Sequence, residues 1–150
     1  MKRICTTTDI EASAKDVWEI LCDFKEYHNW NPFITSISGK LKAGEVLDAK
    51  FKANNSFGFN LKPLVLNVEE NKEIRWKGHF IIKGIFDGEH MLRIEEKENG
   101  NVHFINCEKF TGVLAPVLMF LIKRDTEKGF IAMNEQLKKR AQKKKADRDC

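Results

Sequence analysis

The stretch from Gly112 to Arg140, GVLAPVLMFLIKRDTEKGFIAMNEQLKKR, constrains the fold more than any other part of the chain. It reads as one helix, apolar in its first third, charged in the middle and basic at its end. About 30 residues rising about 1.5 Å each span about 45 Å. Leu118, Ile122, Thr126, Phe130, Met133 and Leu137 recur at helical spacing and form a single stripe. The apolar run Val113–Ile122 is too short to cross a bilayer, which takes about 20 residues. The stripe therefore needs protein to cover it. Gly129 stands beside it, where glycine costs about 1 kcal/mol relative to alanine. That cost implies either a kink or space left open beneath the helix. The basic end, Lys138–Arg140, suits the negative pole of the helix dipole.

The rest of the chain supplies the cover. RICTTTDIEA is β-rich and predicts a first strand. Ser13 precedes AKDVWEILCDF at capping-box spacing from Asp16, and Val17, Leu21 and Phe24 fall on one helical stripe. Pro32 disfavours helix at Asn31, so a turn or second short helix ends there. From residue 33 the period changes to two. ITSISGKL and VLDAKFKA flank the turn KAGE, LKPLVLNVEE and EIRWKGHF are joined through NK, and FDGEHMLRIEEKE and NVHFINCEKFTG flank ENG. Pro63 belongs near the start or edge of its strand.

The fold expected is α+β: a curved antiparallel sheet of seven strands, one or two short helices after the first strand, and the long C-terminal helix. A strongly twisted sheet of that size curls, and the helix is the element long enough to cover its concave face. A domain of 150 residues buries enough surface to hold a core and a cavity without staples.

The charge of the chain is uneven. Residues 138–150 carry seven Lys/Arg against two Asp, +5 of the net +4, which leaves −1 for the body. A basic tail on a near-neutral body argues against a nucleic-acid-binding face. Residues 142–150 are expected to be a frayed basic tail outside the domain 1–141, with weak attraction to anionic headgroups as its functional alternative. Cys5, Cys22, Cys107 and Cys150 lie far apart, without a CxxC pair, and Met1 is followed at once by strand-like sequence. Reduced thiols in a cytoplasmic protein without a targeting peptide are the simplest reading. His28, His79, His90 and His103 show no ligand spacing, and no Gly-rich loop follows a strand, so neither metal nor cofactor is expected.

By alternation, Phe51, Leu64, Leu66, Val68, Trp76 and Phe80 point inward, as do His90, Leu92 and Ile94. A three-residue loop, Glu98-Asn99-Gly100, pairs Lys97 with Asn101 and sets His90 opposite Glu108 and Ile94 opposite Phe104. A two-residue turn at Asn99-Gly100 would instead bring Lys109 to His90. The first register is preferred because it keeps Phe104 and Phe110 inside. A mutually satisfied His90–Glu108 pair is then the polar feature of an apolar cavity. The apolar FIIKGIF, residues 80–86, is placed at the cavity rim, either as an ordinary corner or as a mobile entrance; the entrance is preferred because Ile81, Ile82 and Ile85 exceed what one corner buries.

Three segments in this order, SAKDVWEILCDFKEYHNWNPF, GEHMLRIEE and EKFTGVLAPVL…GFIAMNEQLKKRA, resemble the START/Bet v 1-like (SRPBCC) superfamily. The resemblance is greatest to its polyketide cyclase/dehydrase and lipid transport branch and covers residues 2 to about 140. It implies a helix-grip fold enclosing a hydrophobic pocket, with no fixed chemistry.

The expected function is binding, with transport in the sense of that branch as its extension, of a lipid, isoprenoid or polyketide-like molecule between sheet and helix. The candidate ligand-binding residues are Trp30, Phe51, Leu66, Trp76, Phe80 and His90 on the sheet side and its flanking turn. Leu92, Glu108, Phe110, Ile122, Phe130 and Met133 complete the set. The alternatives are a cyclase or dehydratase in which His90 and Glu108 guide proton transfer, and a protein-interaction module with no ligand. Trp30 has a structural reading beside the functional one, as a lock between short helix and sheet.

Overall fold

The computed structural model describes residues 2–53, 58–80 and 82–150. Strand β1 (Lys2–Ile10) is followed by helix α1 (Ala14–Cys22), whose first turn is capped by the Ser13 hydroxyl accepting from the Asp16 N–H at 3.1 Å. A 3-10 turn, Phe24–Glu26, runs directly into the short helix α2 (Tyr27–Trp30). Asn31 and Pro32 end it as expected. The Asn31 side-chain oxygen accepts the N–H groups of Phe33 and Ile34, which turns the chain into strand β2 (Ile34–Ser38). Then come β3 (Asp48–Phe51), β4 (Phe59–Leu61), β5 (Leu64–Glu69), β6 (Glu73–Phe80), β7 (Phe86–Glu96) and β8 (Val102–Thr111). Helix α3 (Ala115–Asp149) closes the fold.

The architecture is α+β and antiparallel, but the strands do not form one seven-stranded sheet. They form a five-stranded sheet, β1-β8-β7-β6-β5, and a three-stranded sheet, β2-β3-β4. The division falls at Lys62-Pro63, between β4 and β5. Proline has no N–H to give a ladder. The seam is carried instead by the segment before β3: Leu47 N–H donates to the Pro63 carbonyl (2.9 Å), Val65 N–H to that of Glu45 (2.8 Å), and Val46 bridges Leu64.

The same seam corrects the inward set on β5. Val65 faces the core and is 1% exposed, whereas Leu64 and Leu66 are 41% and 39% exposed. Leu66 is the extra residue of a bulge, since Val65 pairs with Trp76 and Asn67 with Arg75. Simple alternation therefore puts the wrong residues inside.

The last hairpin follows the preferred register: Lys97 N–H donates to the Asn101 carbonyl, Gly100 has φ +84°, His90 faces Glu108 and Ile94 faces Phe104. Phe104 and Phe110 are buried. Helix α3 begins three residues later than expected. Gly112, at φ +115°, turns the chain out of β8, where a Cβ would lie 2.4 Å from the Ile85 carbonyl oxygen.

Helix α3 is unbroken across Gly129, and the space there is filled. A Cβ on Gly129 would lie 2.7 Å from a ring carbon of Phe33. The glycine thus serves close packing, rather than a kink or an opening. Thr126, Phe130, Met133 and Leu137 are buried, and Leu118 and Ile122 half-buried, so the stripe faces the fold. Toward its end α3 packs on β1 and α1.

The basic tail is also docked where fraying is expected. The helix continues through Asp149, with Arg140 paired to Glu26 (3.3 Å), Lys144 to Glu19, and Arg148 to Asp16 (2.6 Å). The acidic face of α1 and the following turn supply the partners that a reading of the tail alone cannot show.

The cysteines require a correction too. Cys5 and Cys107 stand opposite each other in the β1–β8 ladder, Cα atoms 4.1 Å apart, and are joined by a disulfide; Cys22 and Cys150 are free. A separation of 102 residues hides this pairing from any local motif. Among the described residues, no helix is long and apolar enough to cross a membrane.

Candidate functional site

Between the concave face of the five-stranded sheet, the β2-β3-β4 sheet and the first half of α3 lies a cavity of about 440 Å³. Its floor comes from β6, β7 and β8. Trp76, Gly78 and Phe80 alternate inward on β6, Phe86 and Gly88 on β7, and Glu108 and Phe110 on β8. Gly78 and Gly88 are directly paired across the strands. Two neighbouring positions without side chains leave room that a ring of Phe80, Phe86 and Phe110 surrounds. Phe33, Phe51, Phe59 and Leu61 wall the opposite side, and Leu118, Leu121, Ile122, Asp125 and Thr126 form the helix side. Leu121 is 67% exposed and marks the outer rim.

The carboxyl of Glu108 is the polar group on this floor. It fits because Gly88 has no side chain: a Cβ there would lie 2.4 Å from Glu108 Oε1. The Glu108 side chain is 14% exposed, and among the described residues its carboxyl takes no hydrogen bond. Burial pushes its pKa up to about 8, so the group is a neutral acid at pH 7.

The expected His90–Glu108 pair is corrected. His90 Nδ1 stands 3.9 Å from Glu108 Oε2, beyond hydrogen-bond reach, and the partner of His90 is Asn106, whose Oδ1 is 2.7 Å from Nε2. Burial drives the His90 pKa down to about 4, against the opposing effect of the hydrogen bond that its Nε2 makes to Asn106 Oδ1. Both groups are therefore uncharged near neutrality and form no ion pair. His90 is only 1% exposed, sealed by the rings of Phe33, Trp76 and Phe130.

Of the candidate ligand-binding residues, Phe51, Trp76, Phe80, Glu108, Phe110 and Ile122 meet at this cavity. His90, Leu92, Phe130 and Met133 lie in the packed core behind it, each at most 1% exposed. Leu66 is on the outside. Trp30 is buried with its ring edge-on to Tyr27 of the same short helix, and it is not among the described lining residues of the cavity. Ile81, part of the expected entrance, lies outside the described residues; Ile82 is exposed and Ile85 half-buried.

The residues missed divide by signal. Gly78 and Gly88 were legible, since each interrupts an inward row of large residues, Trp76-x-Gly78-x-Phe80 and Phe86-x-Gly88-x-His90. Phe59 and Leu61 were not, because a three-residue strand has too few positions to show a period. A second hollow, between the start of α1 and the β5–β6 turn, is lined by Lys15, Glu69, Lys72, Glu73, Arg93 and Glu96 and is a solvated ionic groove.

A curved antiparallel sheet gripping a long helix over an apolar cavity with one buried acid defines a helix-grip domain. The chain belongs to the family described as "Polyketide cyclase / dehydrase and lipid transport", which matches residues 1–142. A comparison with curated proteins finds no match. Among solved structures, the hypothetical protein jhp0584 of Helicobacter pylori is similar with TM-score 0.76 at 18% identity, covering 93% of this chain and 88% of that one. Protein MLL2253 of Mesorhizobium loti is similar with TM-score 0.71 at 14% identity, covering 99% of both chains. The di-domain ARO/CYC StfQ of the steffimycin biosynthetic pathway is similar with TM-score 0.72 at 8% identity, covering 96% of this chain and 51% of that one. At these identities the likeness speaks for the fold.

Proposed function

We propose that the protein binds a hydrophobic small molecule, of lipid, isoprenoid or polyketide-like character, in the cavity between sheet and α3. The observation that carries this reading is the cavity itself: about 440 Å³, walled by aromatic rings and floored by the Gly78–Gly88 pair. Volumes of about 300–1,000 Å³ with apolar walls and few polar groups are typical of small-molecule sites. Open volume also argues against a ligand-free interaction module. The cations of the tail that lack the α1 partners, such as Lys139 and Lys143, leave room for weak contact with anionic headgroups. Native mass spectrometry of freshly purified protein tests the proposal, with co-purified apolar molecules expected. A panel of fatty alcohols, sterols, isoprenoids and aromatic polyketides that leaves both mass and melting temperature unchanged would refute it.

A second reading is a cyclase or dehydratase, favoured by a protonated carboxyl facing an apolar cavity and by the fold shared with the ARO/CYC protein. Glu108 is then the group that meets substrate, and His90 lies sealed behind it. Loss of that acid in Glu108→Gln is expected to slow turnover of a ring-closing substrate by about 100-fold. Equal turnover in the variant would dispose of the role.

A further inference from the structure

A chain of side-chain hydrogen bonds runs from His90, just behind the cavity floor, across the core to Thr6, and its polarity is fixed at the far end. The Thr6 hydroxyl donates to the main-chain carbonyl of Asn106 (3.4 Å) and so accepts from Asn134 Nδ2 (2.8 Å). Asn134 Oδ1 then accepts from Asn106 Nδ2 (3.0 Å), which leaves Asn106 Oδ1 as the acceptor toward His90. The neutral imidazole must therefore carry its hydrogen on Nε2. Its Nδ1 is a bare lone pair, 3.9 Å from Glu108 Oε2.

The floor consequently offers no cation to stabilise negative charge. Behind Glu108 stands an acceptor, and the two ionisable residues among the described lining residues, Glu108 and Asp125, are both acidic. No Lys, Arg or His is among those lining residues. An anionic headgroup drawn to the floor would lose its hydration and meet no cation, a heavy cost in an apolar surrounding. A neutral oxygen meets a carboxyl that both donates and accepts.

Taking the cavity as the guest site proposed above, we infer that it selects guests by the charge at their polar end: Glu108 receives an uncharged hydroxyl or carbonyl oxygen, and carboxylate and phosphate ends are refused. The carboxyl O–H donates to a ketone or ester oxygen, and its second oxygen accepts from an alcohol.

The test is displacement of Nile red from the full-length protein at pH 7 by decanol, octyl methyl ketone and decanoate, which share one chain length. Decanol and the ketone are expected to displace the dye at concentrations at least about tenfold below that of decanoate. Glu108→Leu is expected to weaken both neutral guests about tenfold while decanoate stays as it was. Glu108→Gln, which keeps shape and hydrogen bonding, retains the wild-type order. Equal displacement by decanoate, or undiminished decanol binding in Glu108→Leu, overturns the selection rule while the cavity remains a guest site. Nile red and all three competitors failing to bind removes the guest site itself, and the rule with it.

Discussion

Glu108 ties the stability of the fold to pH in the direction opposite to a salt-bridged carboxylate. Its pKa rises from an ordinary 4.5 to about 8 on burial. Between those values the unfolded chain releases a proton that the folded chain keeps, so stability falls as pH rises through the window. His90 acts in reverse: its pKa drops from 6.5 to about 4, so stability is lost as pH falls through that range. The two offset one another over most of pH 4.5–6.5. From 6.5 to 8 the Glu108 effect stands without that opposition, and at about 1.4 kcal/mol per pH unit it amounts to about 2 kcal/mol. Urea denaturation at the two ends of that window should show the wild type losing about this much more than Glu108→Gln. Equal losses would place the carboxyl in water. At Gly129 the issue is contact rather than charge. Alanine favours a helix by about 1 kcal/mol, but its methyl would press on Phe33, which is itself 2% exposed and edge-on to Phe130. Gly129→Ala is expected to cost about 1–3 kcal/mol net, with part recovered by adding Phe33→Leu. A stabilised single variant would mean that the ring yields.

Among the elements, β1 depends most on long-range partners. It is an edge strand of the five-stranded sheet, held by β8, by α3 and by the Cys5–Cys107 disulfide. Closing 102 residues restricts the unfolded chain. Reduction, or Cys5→Ala with Cys107→Ala, should lower the unfolding free energy by about 2–4 kcal/mol and speed hydrogen exchange in β1 before other strands. An unchanged urea midpoint in reductant would show that the bridge contributes nothing. The sequence was most legible where structure is local. Glu98-Asn99-Gly100 fixes its own hairpin, and the stripe from Thr126 to Leu137 fixes the buried side of α3. It was least legible where distant segments decide. The bulge at Leu66, the seam at Pro63 and the bridge from Cys5 to Cys107 each depend on a partner far along the chain. The same holds at the site. Glu108 was legible as an inward polar residue because it shares a hairpin with His90. The true partner of His90 is set by Asn134, which reaches Asn106 only once α3 is docked.

At the scale of the whole molecule, folding and guest binding place opposite demands on the same interior. Below Thr126 the stripe of α3 packs solidly, against Phe33, Asn106 and β1. Above it the helix stands off the sheet, and the Gly78–Gly88 pair keeps the floor low. Filling that floor should therefore separate the two demands. A Cβ at Gly78 would touch Leu61 Cδ1 at 3.4 Å, ordinary contact, and the backbone there needs no positive φ. The remaining atoms of a leucine would project into the cavity. Gly78→Leu is thus expected to fold with a melting temperature at or above that of the wild type, since it covers apolar surface and relieves a glycine within a strand. Its affinity for decanol should fall by at least about tenfold, because the guest must give up volume that the side chain now occupies. Melting curves and dye displacement on the same preparation measure both. Retained binding in a well-folded Gly78→Leu protein would put the guest elsewhere. Lost binding with lost folding would instead point to Leu61 and Pro63 as contacts too close to yield, a case that Gly78→Ala resolves by adding the Cβ alone.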